Sequence, residues 1–206
     1  FLLWLFFLTP ISLIALIFYY ASVGGFGDMP DLEVLENPKT NLASEVISSD
    51  GKTLGKYYFN DNRTPVTFDE LPKHLVDALI ATEDIRFYSH SGIDFKRTFG
   101  AALKLGKDGG GSTITQQLAK LLFTGEGSRD ILERLTQKFK EYIIAVRLER
   151  HYTKDEIITQ YLNLYDFGNN GDGLRSAARN YFGKEPIDID INESAILVGM
   201  LKKYSF

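Results

Sequence analysis

The chain has 206 residues, of which 44% are hydrophobic, and this is enough for one full-sized domain with accessory segments. Its formal net charge of −4 excludes the overall positive field with which proteins attract nucleic acid, so no nucleic-acid partner is expected. The absence of cysteine excludes disulfide bonds, thiol catalysis and cysteine-based zinc sites.

Residues 1–22 predict a single transmembrane anchor. No charged residue occurs before Asp28, and the apolar run has about the 20 residues that a helix needs to cross a bilayer. Trp4, Tyr19 and Tyr20 lie toward its ends, where aromatic side chains are frequent at membrane interfaces. A cleaved signal peptide is the alternative, but it would have a shorter apolar core followed by a small-residue cleavage site.

The region that follows changes from linker to strand to helix. Residues 23–41 are rich in glycine, proline and acidic residues, which is typical of a linker. Two segments on either side of Asp50-Gly51 predict a β-hairpin, because this dipeptide is a common turn signal. From Thr67 the pattern becomes helical, with Thr67 or Asp69 as a cap and Pro72 in the first turn.

Six further helices are predicted after this one. Capping residues or apolar stripes mark them, and Thr153 with Glu156 three residues later forms a capping box. The first of these helices is expected to begin at Asp94 and the second at Ser112 or Thr113. The third runs from about Ile131 to Arg150, and the fourth follows Thr153. The last two cover about Leu174–Tyr181 and Asn192–Lys202. Residues 42–206 are therefore predicted to form one domain that is mostly α apart from the hairpin.

Two stretches carry residue types suited to chemistry. In GGGSTITQQLAK a glycine run leads to Ser112-Thr113, and such a helix start suits an anionic ligand, although a flexible loop followed by an ordinary cap is the simpler explanation. Lys138 and Glu141 are three residues apart and share one helix face, which an exposed ion pair also explains. The three histidines are scattered, so a histidine-based metal site is not expected.

Five stretches in order resemble the motifs of the peptidoglycan glycosyltransferases, glycosyltransferase family 51. EDIRFYSHSG resembles the first motif, GGGSTITQQLAK the second, KFKE the Lys-x-x-Glu core of the third, KDEIITQYLNLYDFG the fourth and ESAILVGML the fifth. The segment before them is similar to that of class A penicillin-binding proteins, which also carry a transpeptidase domain. We therefore expect a fragment of such a bifunctional enzyme, with the 42–206 domain truncated at its C-terminus.

The resemblance implies a lysozyme-like fold and a glycosyl transfer with inversion. In this reaction the 4-hydroxyl of an acceptor sugar attacks the anomeric carbon of a lipid II donor, which extends a β-1,4 glycan strand and releases undecaprenyl pyrophosphate. A sugar hydroxyl is a poor nucleophile at neutral pH, so a carboxylate must accept its proton, and Glu83 is the candidate general base. Glu141 is the second catalytic candidate, which would position the donor or hold a divalent cation, Mg²⁺ or Mn²⁺, that bridges the phosphates.

The resemblance also implies how the substrate is held. The leaving pyrophosphate gathers negative charge, which preorganised cations stabilise, and Lys138, Lys120 and Arg147 are the candidates. The helix start at Ser112 and Thr113 is expected to assist them. The further substrate-binding candidates are Asp84, which is expected mainly to fix local geometry, and Arg86, Phe87, His90, Gln116, Gln117 and Asn163.

The sequence departs from the family pattern at two positions. Gln137 stands where an arginine usually precedes the Lys-x-x-Glu core, which removes a cation from the expected pyrophosphate site. Leu121 stands where an asparagine usually follows LAK. The first departure leaves Lys138 to carry more of the expected charge stabilisation.

A lipid-linked substrate agrees with the predicted anchor. The resemblance implies a single-pass protein of the bacterial inner (cytoplasmic) membrane, with the catalytic domain on the extracytoplasmic side and other cell-wall synthesis proteins as partners. An enzyme that takes such a substrate is expected to expose apolar residues toward the membrane. We expect this surface at Leu118, Leu121, Leu122 and Phe123.

Two other functions remain open from the sequence. A lysozyme or lytic transglycosylase would share the fold and a catalytic glutamate, but it needs neither a phosphate-binding helix start nor a Lys-x-x-Glu pair. An inactive membrane-anchored scaffold would be marked by loss of Glu83 or Glu141, and both are present.

Overall fold

The computed structural model describes residues 8–9, 12, 15–20, 23–25, 44–51, 53–57, 63–103, 111–125 and 130–202. The predicted anchor over residues 1–22 and the linker over residues 23–41 therefore lie mostly outside the described residues. Within the described ranges, no helix combines the length and the apolar character needed to cross a bilayer.

A two-stranded antiparallel sheet precedes the helices. Strand β1 covers Ser44–Ile47 and strand β2 covers Thr53–Tyr57, with an irregularity in the register after Val46. The turn between them contains Gly51 at φ +81°, a conformation that glycine adopts without the steric cost of a Cβ atom. Val46, Ile47 and Leu54 are exposed, so these three side chains lie outside the core.

Seven α-helices of the described residues form the body of the domain. They are α1 (Lys73–Glu83), α2 (Phe95–Leu103), α3 (Ile114–Ala119), α4 (Ile131–His151), α5 (Lys154–Leu164), α6 (Leu174–Phe182) and α7 (Ile191–Met200). A π-helical turn, Lys120–Thr124, follows α3 directly, and short 3-10 turns occur at Phe68–Glu70, Phe87–Ser89 and Pro186–Asp188. The prediction of a mostly α domain is confirmed.

Local capping explains why most helix starts lie close to their predicted positions. Thr153 caps α5 and forms a box with Glu156, as expected, and Asp190 forms the same kind of box with Glu193 at α7. The first helix differs from its prediction, because Thr67 caps only the 3-10 turn. Pro72 lies outside α1 in an extended conformation, with φ −68° and ψ 138°. Leu71 before it is also extended, as expected for a residue that precedes proline, so α1 cannot begin earlier.

The core surrounds the short helix α3, which packs against both α4 and α5, while α1 packs against α7. All but one of the six residues of α3 are buried, so nearly its whole surface contacts protein. Leu118 in this helix is fully buried, which shows that the predicted membrane contact is wrong for this residue. Leu121 is exposed, whereas Leu122 and Phe123 are half-buried and pack against the core.

Candidate active site

The carboxylate of Glu83 lies at the C-terminal end of α1 and faces α3. Its Oε2 accepts a hydrogen bond from Nε2 of Gln117 at 2.9 Å. Its Oε1 is buried and has no hydrogen-bond partner among the described residues. The backbone carbonyl of Glu83 accepts a bond from the guanidinium of Arg97, which fixes the end of the helix from the other side. A buried acceptor without a partner is costly and is a place where a substrate donor gains a hydrogen bond.

Asp84, the next residue, ties α1 to the start of α3. Its side chain is fully buried, and its Oδ2 accepts a hydrogen bond from the backbone N–H of Ile114 at 3.1 Å. The same oxygen lies 3.0 Å from Nε2 of His90. The carboxylate therefore satisfies one of the free N–H groups at the start of α3, where a negative charge is also favoured by the helix dipole.

The loop between α1 and α2 is stabilised by an ion pair. The guanidinium of Arg86 donates two hydrogen bonds to the carboxylate of Asp94, at 2.8 and 2.9 Å. Asp94 also accepts a bond from the backbone N–H of Arg97 at 3.0 Å and so caps α2. Burial alone raises the pKa of the Asp94 carboxyl, but the bonds from Arg97 and Arg86 outweigh it and hold that pKa below its ordinary value.

Gly92 joins this loop to both α3 and α4. It has φ +90°, and a Cβ at this position would lie 2.8 Å from the backbone carbonyl carbon and oxygen of Ala145 in α4. Its carbonyl accepts hydrogen bonds from the hydroxyl of Thr113 at 2.7 Å and from Nε2 of Gln116 at 3.2 Å. Thr113 and Gln116, both predicted to bind substrate, are thus engaged by the protein's own backbone.

Gln117 connects Glu83 to a buried tyrosine. Its Oε1 accepts a hydrogen bond from the hydroxyl of Tyr161 on α5 at 2.9 Å, while its Nε2 donates to Glu83. Burial raises the pKa of the Tyr161 hydroxyl well above its ordinary value, and the nearby charge of Glu83 adds to this effect. Tyr161 therefore stays protonated and remains a hydrogen-bond donor.

Lys138 and Glu141 are paired on α4 beside the start of α3. The Lys138 ammonium lies 2.5 Å from Oε2 of Glu141 and 2.7 Å from Oγ of Ser112. Glu141 is only 7% exposed, which distinguishes this pair from an ion pair on a solvated helix face. Burial raises the pKa of the neighbouring Tyr142 hydroxyl, and the charge of Glu141 raises it further.

Two of the predicted substrate-binding residues, Arg147 and Asn163, lie apart from these groups, and a third, Lys120, is exposed. Arg147 follows Lys138 by nine residues on α4, which at about 100° a residue places it on the opposite side of the helix. Lys120 is exposed at the start of the π-helical turn. The side-chain amide of Asn163 exchanges two hydrogen bonds of 2.9 Å with the backbone of Val66, so it holds the segment before α1 against α5.

Sequence reasoning missed a cluster of side chains that holds the loop between α1 and α2, which carries the first motif and is called the first-motif loop below. Oε1 of Glu149 accepts hydrogen bonds from Thr115 at 2.5 Å and from the Lys154 ammonium at 2.8 Å. The same ammonium donates to the carbonyl of His90 at 2.7 Å and lies 4.2 Å from the centre of the Phe87 ring. A lysine in the first position of a helix opposes the helix dipole, and this unfavourable placement was the available signal that Lys154 has another partner.

The described residues do not form a metal site of their own. No group of three or more histidine, aspartate or glutamate side chains is arranged among them to hold a metal ion. Glu141, the predicted ligand, is already paired with Lys138.

Comparison with known proteins places these residues in a family context. The family model described as transglycosylase matches residues 50–205. The chain is 40% identical over 166 residues to penicillin-binding protein 1F of Bacillus subtilis, covering 79% of this chain and 22% of that protein. It is 39% identical over 179 residues to penicillin-binding protein 1A of Escherichia coli, covering 84% and 20%. It is 36% identical over 204 residues to penicillin-binding protein 1A of Vibrio cholerae, covering 95% and 24%. The chain thus spans between a fifth and a quarter of the length of these relatives.

Proposed function

This chain belongs to the transglycosylase family, and we propose that it is a peptidoglycan glycosyltransferase that polymerises lipid II into β-1,4 glycan strands with Glu83 as general base. The single observation that carries the proposal is the segment 112–117. Ser112 at one end of it accepts a bond from Lys138, and Gln117 at the other end donates to Glu83. One short segment therefore holds a proton acceptor and a cation, the two groups that this reaction requires.

In this proposal the Glu83 carboxylate takes a proton from the sugar that attacks. As the 4-hydroxyl oxygen forms its bond to the anomeric carbon, its proton passes to the carboxylate of Glu83. The bond from the anomeric carbon to the phosphate oxygen breaks, and its electron pair leaves with the pyrophosphate, so the anomeric configuration inverts. The oxygen without a partner, Oε1, is the acceptor atom that such a hydroxyl would satisfy.

The Lys138 ammonium stabilises the leaving pyrophosphate in this proposal. Lys138 lies in a half-buried position, where its charge is less screened than on an open surface. Negative charge that develops on the departing pyrophosphate is stabilised by an ammonium that is already in place, because no reorganisation is needed at the moment of reaction. Glu141 holds the ammonium on α4, and Ser112 fixes it relative to α3.

The setting of the reaction is part of the proposal. The mostly helical domain fits a lysozyme-like fold, and the relatives are penicillin-binding proteins. We propose that the enzyme acts at the extracytoplasmic face of the bacterial inner membrane, where lipid II and the growing glycan strand are its substrates, and other cell-wall synthesis proteins are its partners. A divalent cation that bridges the phosphates of the donor is also part of the proposal.

The decisive experiment compares two glutamate substitutions. Glu83→Gln keeps the shape of the residue but removes the basic oxygen, so polymerisation of purified lipid II is expected to fall by about two or more orders of magnitude. Glu156→Gln is the matched control, because Glu156 lies in an exposed capping box that glutamine also completes. Binding of lipid II is expected to survive in both variants.

Two outcomes would contradict the proposal. A Glu83→Gln variant that polymerises lipid II at the wild-type rate would remove Glu83 from the mechanism. A wild-type enzyme that cleaves polymeric glycan but leaves lipid II unchanged would identify a glycan-cleaving enzyme instead.

A further inference from the structure

The orientation of the Gln117 side chain is decided by its two neighbours. An amide can present either its oxygen or its nitrogen to a partner, but an ionised carboxylate only accepts hydrogen bonds. The amide nitrogen must therefore face Glu83, at 2.9 Å from Oε2. The amide oxygen then faces Tyr161, and only a hydroxyl that donates can satisfy it, at 2.9 Å.

This arrangement makes the two oxygens of Glu83 unequal. Oε2 is occupied by the amide of Gln117, whereas Oε1 is buried and unpartnered among the residues that the structure describes. If the amide were free to rotate, Gln117 would spend part of its time with its oxygen toward the carboxylate, and the carboxylate would shift to avoid the repulsion. The hydroxyl of Tyr161 opposes that rotation, because the reversed amide would leave Oε2 of Glu83 without its donor and the proton of the Tyr161 hydroxyl without its acceptor.

We infer that Tyr161 is a positioning residue, which fixes the amide of Gln117 and thereby directs Oε1 of Glu83 to the hydroxyl of the acceptor sugar. The inference rests on the proposed function of Glu83. Tyr161 does not touch the reacting atoms itself, and its ring is fully buried on α5. It acts on the base through one hydrogen bond to Gln117, which lies 44 residues away from it in the sequence.

The test uses two neighbouring tyrosines of the same core. Tyr161→Phe removes the hydroxyl that reaches Gln117 and keeps the ring. Tyr165→Phe is the matched control, because its hydroxyl is also buried but donates to the backbone carbonyl of Leu201 at 3.0 Å. We expect Tyr161→Phe to lower kcat for lipid II polymerisation about five- to tenfold, the value of one hydrogen bond, with KM changed less than about twofold. Tyr165→Phe is expected to keep kcat within about twofold of wild type, whatever it does to the melting temperature.

A double-mutant cycle separates positioning from packing. In a Gln117→Ala background the amide is gone, so Tyr161→Phe is expected to cause no further fall in kcat. A role in packing alone would lower kcat by the same factor in both backgrounds. An equal factor, or a wild-type kcat in the single Tyr161→Phe variant, would overturn the inference.

A spectroscopic measurement makes the test independent of turnover. The sequence has four glutamines, so glutamine labelled with ¹⁵N in its side chain gives four pairs of amide signals, with a fifth pair in the Glu83→Gln variant. The Gln117→Ala variant assigns the pair that belongs to Gln117. We expect the Gln117 signals to move in Tyr161→Phe and in Glu83→Gln but to stay in place in Tyr165→Phe. Unmoved signals in Tyr161→Phe would overturn the inference even if polymerisation were never observed.

The proposed function and this inference fail in different ways. A Glu83→Gln variant with full activity would refute the base, regardless of Tyr161. An inactive Glu83→Gln variant together with a fully active Tyr161→Phe variant would leave the base in place and refute only the role of the tyrosine.

Discussion

Replacing Gly92 by alanine is expected to weaken the contact between the first-motif loop and α4. At φ +90° any residue with a Cβ loses about 1–3 kcal/mol, because the conformation is sparsely populated by residues other than glycine. The added Cβ would also lie 2.8 Å from two backbone atoms of Ala145. Backbone atoms of a helix cannot move aside as the end of a flexible lysine or methionine can, so overpacking adds about 1–3 kcal/mol.

These two costs predict a large fall in stability. With a total of about 3–4 kcal/mol and about 2–4 °C for each kcal/mol in a domain of this size, the melting temperature should fall by roughly 10 °C. Polymerisation should also fall at temperatures well below melting, because the carbonyl of Gly92 holds Thr113 and Gln116 at the start of α3. Thermal unfolding and a lipid II polymerisation assay on the same preparation measure both effects.

A second glycine provides the control for this prediction. Gly183 at the end of α6 has φ +66° and no atom within 4 Å of an added Cβ, so Gly183→Ala carries only the conformational cost of about 1–2 kcal/mol. The difference between the two alanine variants isolates the contact with Ala145. If both variants melted at the same temperature, the reasoning from this contact would be refuted.

Three further substitutions test other parts of the site. Lys138→Ala is expected to cut polymerisation at least about tenfold. It should also cost about 1–3 kcal/mol of unfolding free energy, since Glu141 is left buried without its partner. Lys138→Arg should recover only part of the rate. A Lys138→Ala enzyme with normal polymerisation would make the pair purely structural. Lys154→Met is expected to lower the free energy of unfolding by about 3 kcal/mol, because the Glu149 carboxylate is only 6% exposed and loses its cation. An unchanged midpoint of urea unfolding would contradict this expectation. Asp94 has a lowered pKa, so its contribution to stability is present above its ordinary pKa of 3.8 and is lost as the pH falls through the lower folded value. The unfolding free energies of wild type and Asp94→Asn should therefore differ by a constant amount from about pH 5 to 7 and converge below about pH 4, whereas a difference independent of pH would exclude this carboxylate as the cause.

Helix starts could be predicted from the sequence because their determinants lie within a few residues. Thr153 and Glu156 specify the start of α5 by themselves, and the structure places that helix one residue after its cap. The start of α1 was less predictable, because an N-terminal proline is compatible with the first turn as well as with an extended cap. Here the extended Leu71 and Pro72 decided for the later start.

The contacts of the site could be predicted only in part. Motif resemblance selected Gln117, which is one end of the segment 112–117. It also selected Glu83 and Lys138, which the fold brings to the two ends of this segment. It could not reveal the bond between Tyr161 and Gln117 or that between Lys154 and His90, because these span 44 and 64 residues and leave no local pattern.

Asn163 illustrates the opposite case. An asparagine in a motif suggests substrate contact, but its amide has the same donor and acceptor pair as a peptide group. It therefore pairs with the backbone of Val66 as a neighbouring strand would, 97 residues away in the sequence. Sequence spacing gives no indication of such a partner.

The shortness of α3 has a consequence for how the enzyme acquires its activity as it folds. Even with the π-helical turn that follows it, α3 is too short to persist in water on its own, because nucleation costs more than so few turns return. Its first N–H group, that of Ile114, depends on Asp84, and its capping hydroxyl is shared with the carbonyl of Gly92. The helix therefore becomes ordered only when the protein around it has already assembled. A destabilised enzyme is thus expected to lose activity in step with cooperative unfolding of the whole domain, not through gradual fraying of the site.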